Sequence, residues 1–244
     1  MNRSRLALVA LSILLPGAAS WAQDFHRTYR IGQGSSISIG NVSGDVKVSG
    51  YDGDVIVVTA MKEGRDRDIV DIEDTSGRER VAIRVRYPDN CNCSANVRFE
   101  ITVPRSVSYE FDSIQSVSGD VDVSGVTGTL RAKTVSGNVR VKEVSGTVNA
   151  STVSGSVEVD IQRLEGKGDM KFSSVSGSVN VRVPADLNAA VEMSSVSGAV
   201  KTDFPIEVEE ARYGPGRKAH GRIGNGDRSI RLSSVSGKVS LSRY

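Results

Sequence analysis

Aromatic residues make up only 5% of this 244-residue chain, and histidine and cysteine occur twice each. Val, Ser and Gly recur instead, a mixture that suits strands and tight turns and suits helices poorly. His26 near the start and His220 in a Gly-rich stretch read as exposed loop positions, so imidazole chemistry has little to stand on. Cys91 and Cys93 are too few for a structural zinc site, which takes four ligands. A local disulfide between them is expected, with interchain pairing or free thiols as the alternatives. An excess of one charge is also missing, since 31 basic residues face 29 acidic ones. A nucleic-acid binder would normally keep a basic surplus, so no nucleic-acid partner is expected.

Long apolar runs are confined to the start. Arg3 and Arg5 precede an apolar stretch, Leu6 to Leu15, that Pro16 and Gly17 end, and small residues flank Trp21. This order reads as a secretory signal peptide over residues 1–22, cleaved after Ala22. The run is shorter than the roughly 20 residues a spanning helix needs. No later segment could cross a bilayer as a helix. The expected mature protein is exported, periplasmic or at the cell surface, and can bury a single core.

What is present is a repeat. Cut into nines from Val117, the chain reads VSGDVDVSG, VTGTLRAKT, VSGNVRVKE, VSGTVNAST and VSGSVEVDI. Positions five and seven are Val, Leu or Ala in each piece and share one face of a pleat. Position one has the same parity and is expected in the core as well. Nine is odd, so the chain must bend once per repeat, and Gly at position three is suited to the bend. The expected structural turns are Gly44, Gly119, Gly128, Gly137, Gly146, Gly155, Gly177, Gly198 and Gly237.

Charges separate a parallel solenoid from an antiparallel meander. With two repeats per coil, Asp122, Arg140 and Glu158 stack in one column of alternating sign, and Lys142 pairs with Asp160. A hairpin about Ser136-Gly137 would instead set Lys133 against Arg140 and Arg131 against Lys142, which is unfavourable. The fold expected is all-β: a single-chain parallel β-solenoid (β-helix or β-roll) of about 18–22 residues per turn, right-handed because parallel crossovers nearly always are. Residues 23–244 form one domain: an irregular strand-rich part over 23–111, then a regular part over 112–244 with a loop insert at 205–228. The segment from Asp24 and the final Ser240–Tyr244 are the expected caps.

Catalytic constellations are not found. Ser118, Ser136, Ser145 and Ser154 have no nucleophile elbow around them and read as turn residues. Asp follows the regular Gly only at Asp45, Asp54 and Asp120, so the calcium-binding nonapeptide pattern is not met. Gly214-Pro215-Gly216 with Arg217 and Lys218 could hold an anion, though a plain loop explains it as well. No metal, cofactor or catalytic residue is expected.

The signal peptide, the SSVSGxVxV units, Val103-Pro104 and the late GRIGNGDRSIRLSSVSGKVSL together resemble a bacterial β-strand-repeat family known as "putative adhesin", a domain of unknown function. The resemblance spans roughly Ile31 to Leu241. It implies an exported β-solenoid with no established catalytic residues. The function expected is a non-catalytic envelope scaffold that contacts an envelope protein or glycan. The alternatives are a carbohydrate-active enzyme with two convergent carboxylates and a self-assembling envelope element.

Overall fold

A computed structural model describes residues 24–210 and 216–244. The signal-peptide reading and Gly214-Pro215 therefore lie outside the described residues. Apart from one short 3-10 turn at Arg67–Ile69, the described regular structure is all β. The strands form two parallel ladders, and each rung contributes one strand to each ladder.

The middle of the stack keeps the period of 18. Val121, Val139 and Val157 lie side by side in one ladder, and Thr127 lies beside Ser145 in the other. Strand Val139–Ser154 begins in one ladder and ends in the other, turning at Glu143, a non-glycine residue at φ 55°. Arg140 falls between Asp122 and Glu158, as the charge pattern predicts. The second predicted pair does not form, because the register shifts after Val141 and Asp160 instead meets Arg182 at 3.7 Å.

Eight rungs can be followed, and they do not stack in chain order. The first is Arg80–Arg86 with Asn96–Pro104, and the second is Ser36–Gly40 with Val46–Tyr51. Rungs three to six then follow in sequence from Ser108 to Val183. The seventh is the C-terminal pair Ser229–Ser236 and Val239–Arg243, and the eighth is Ala189–Ser195 with Val200–Thr202. The first and last full rungs in sequence are thus each second from an end. The expectation that Ser240–Tyr244 caps the solenoid is corrected here, since Val239–Arg243 is hydrogen-bonded on both edges.

Antiparallel strands close three of the four ladder ends. Ile56–Glu63 runs against Asn96–Pro104, Phe25–Tyr29 against Ile56–Glu63, and Asp71–Asp74 against Arg80–Arg86. At the other end Arg217–Ile223 runs against Ala189–Ser195, and Val208–Glu210 against Arg217–Ile223. Among its described residues the insert at 205–228, expected as a loop, thus contains a short antiparallel strand pair. The fourth end, at Val200–Thr202, is bounded by buried Phe204, over which the Arg243 guanidinium sits at 4.8 Å.

The core lies between the ladders. Val121/Val123, Leu130/Ala132, Val139/Val141, Val148/Ala150 and Val157/Val159 are all buried, as positions five and seven require. Position one behaves differently. Val126 and Val144 are buried, but Val117, Val135 and Val153 are 47–49% exposed. The reading that the first Val of each repeat enters the core is wrong for every second nonapeptide. In strand Ser108–Ser118 the inward residues are Tyr109, Phe111, Ile114 and Ser116, so Val117 faces out. The bend falls after the Val, at Ser-Gly, and only there is parity reset for Val121. Gly128 and Gly146 likewise lie inside strands with parallel partners instead of at turns.

Candidate interaction surface

At each VSG corner the chain turns so tightly that neighbouring rungs touch through backbone. A Cβ on Gly137 would meet the Gly119 carbonyl, and one on Gly155 would meet that of Gly137. These carbonyls are not left idle. The residue before the exposed Val points inward and donates its hydroxyl to the glycine carbonyl of the neighbouring rung: Thr134 to Gly119, Thr152 to Gly137, Ser174 to Gly155 and Ser234 to Gly177, at 2.8–2.9 Å. Those hydroxyl residues are at most 5% exposed. A buried hydroxyl needs such a partner to offset its desolvation.

A second ladder runs beside the first. The side chain after each Gly accepts the backbone N–H of its counterpart on the next rung: Asp45 from Asp120, Asp120 from Asn138 and Asn138 from Ser156. Asp120 also receives the Arg140 guanidinium at 2.6 Å, and Asp122 receives it at 3.4 Å. For Asp120 the largest influence is desolvation, which raises its pKa. The Asn138 N–H and the Arg140 pair together outweigh it and hold the carboxyl below its usual range. The corner carboxylates Asp45 and Asp120 thus accept backbone N–H groups, and Asp120 also pairs with Arg140. Among the described residues no group of three His, Cys, Asp or Glu could hold a metal.

With the hydroxyls inside, the valines stand outside. In stack order Val42, Val117, Val135, Val153, Val175, Val235 and Val196 form one column, each 40–50% exposed. At about 4.8 Å per rung the column runs for roughly 29 Å. Beside it, two residues earlier in each strand, runs a polar column of Gln115, Lys133, Ser151, Ser173, Ser233 and Ser194. A shallow groove follows these two columns from Val117 to Val175, with Thr134 and Thr152 in its lining. The exposed valine is present in every SVSG and TVSG. Counting parity from the preceding strand, and not from the Val itself, would have revealed it.

The other singled-out residues are dispersed. Cys91 and Cys93 form a disulfide with a Cα separation of 5.1 Å, in the connection between the two strands of the first rung. His26 and His220 lie on the antiparallel strands Phe25–Tyr29 and Arg217–Ile223, and not in loops. No described helix is long and apolar enough to cross a membrane.

Stacked parallel rungs with internal polar ladders at their corners define this chain as a β-strand-repeat protein. It belongs to the Toastrack DUF4097 family, a domain of unknown function, whose pattern matches residues 30–242. Among solved structures, a "putative cell adhesion protein" from Clostridium sporogenes ATCC 15579 aligns at 12% identity and TM-score 0.46, covering 90% of this chain and 99% of that one. A "putative adhesin" from Bacteroides fragilis NCTC 9343 aligns at 13% identity and TM-score 0.34, covering 90% and 96%. No curated protein matches the sequence.

Proposed function

We propose that the protein is an exported, non-catalytic right-handed β-solenoid that holds a groove-bearing face toward a component of the cell envelope. The valine column carries this reading. Seven half-exposed valines at one position of successive rungs are a contiguous apolar strip, the kind of patch that marks an interaction site. Of the outer-face carboxylates Asp122, Glu158 and Asp160, which are the candidates for a glycosidase pair, two are engaged in ion pairs: Asp122 with Arg140 and Asp160 with Arg182. The antiparallel strands at three of the four ladder ends oppose end-to-end stacking of parallel rungs, because they cover edges that a second copy would need. Export rests on the basic start and apolar run before Ala22.

The test compares residues 23–244 with Val135→Asp/Val153→Asp on washed envelope preparations, with fractionation of the full-length protein alongside. Saturable retention that drops at least tenfold in the variant, with the full-length protein recovered outside the cytosol, is expected. Equal retention of the two proteins, or a cytosolic location, overturns the reading.

A further inference from the structure

Resting on that reading, we propose that the groove takes a linear anionic polysaccharide laid along the stack. Its ring faces would lie on the valine methyls, its hydroxyls on the serine column and its acid groups on the basic residues beyond. Three adjoining columns make this case. From the fifth rung to the eighth, the positions outward of the core read Ser151-x-Val153, Ser173-x-Val175, Ser233-x-Val235 and Ser194-x-Val196. Each rung therefore offers one hydroxyl and one branched aliphatic group, in line with those of its neighbours.

The next column out has a basic middle between two acidic ends. In stack order it reads Asp112, Arg131, Asn149, Lys171, Arg231 and Glu192. Lys133 stands at the head of the serine column. Lys133 and Lys171 are exposed and form no ion pair among the described residues. Arg131 meets Asp112 at 3.3 Å and Arg231 meets Glu192 at 3.2 Å, with all four side chains about half exposed or more. Surface pairs of this kind contribute little and can be exchanged for a ligand acid at small cost.

The form of the groove selects among anionic partners. Each strand lining it is already paired on both edges, so a peptide cannot add to the sheet. Its lining contains no aromatic residue to anchor or receive a protein hot spot. It runs along the stack from rung to rung, which suits a thread better than a planar bilayer. A hydroxyl and a valine repeated on each rung from the fifth to the eighth suit a polymer that repeats on every unit.

The experiment titrates the mature chain by calorimetry with four probes: polygalacturonate, dextran, poly-glutamate and vesicles containing phosphatidylglycerol. The expected result is binding to polygalacturonate that weakens as salt rises, none to dextran, and at least tenfold weaker binding to poly-glutamate and vesicles. Lys133→Ala/Lys171→Ala and Val153→Thr/Val175→Thr should each lower polygalacturonate affinity at least fivefold. Both pairs change exposed side chains, and an unchanged thermal midpoint verifies the fold. Poly-glutamate or vesicles binding as well as polygalacturonate overturns the proposal, as does binding that neither variant alters. If polygalacturonate fails while envelope retention still depends on Val135 and Val153, the glycan assignment falls and the scaffold reading stands.

Discussion

Gly137 sits in a column of glycines with Gly119 on one neighbouring rung and Gly155 on the other, and its φ of 150° suits few other residues. Gly137→Ala must displace a backbone carbonyl that is itself hydrogen-bonded, so it should cost more than about 2 kcal/mol. Gly77→Ala, with nothing within 4 Å of its new methyl, should stay within roughly 0.5 kcal/mol of the parent. Urea midpoints of the two variants check both. Thr152→Val keeps the shape and removes a buried donor, at about 1 kcal/mol. Asp120 gives the corner an acid limit. Its folded pKa is depressed, so its contribution is present above the unfolded value of about 4 and is lost as pH falls below it. The thermal midpoint of the parent should fall between pH 6 and pH 3, and that of Asp120→Asn should fall less.

At the scale of elements, the nonapeptide made the interior legible because Val139 and Val141 must share a face whatever the coil does. The period of 18 was legible because Arg140 finds opposite charges only on that spacing. The valine column was not, since the parity of Val135 depends on whether the bend precedes or follows it, and Thr134 looks like an ordinary surface residue until its carbonyl partner is placed. Nor does anything in Lys218 or His220 announce an antiparallel strand. Their partner, Ala189–Ser195, is itself a rung, and the need to close its open edge is a property of the stack. The disulfide is a local device. A loop this short constrains the unfolded chain little, so Cys91→Ser/Cys93→Ser should lower stability by no more than about 2 kcal/mol, read from the urea midpoint.

Across the whole molecule, the order of rungs matters more than their number. In a solenoid stacked in chain order each end repeat has one neighbour and can fray alone. Here the C-terminal pair Ser229–Ser236 and Val239–Arg243 lies between Met170–Ser176 and Val179–Val183 on one side and the eighth rung on the other. Ser36–Gly40 and Val46–Tyr51 are held in the same way at the opposite end. Neither end rung of the stack can lose its inner neighbour without opening the core on both sides. Removing residues 229–244 should therefore abolish cooperative unfolding, where a chain-order solenoid would lose one cap and keep the rest. Hydrogen exchange gives a milder test on the intact chain. The amide of Val179, which donates to the Lys238 carbonyl of the seventh rung, should exchange with the slowest class, alongside Val139 and Val157. Exchange at Val179 as fast as at Lys201, on the eighth rung, would show that the interior placement does not hold in solution.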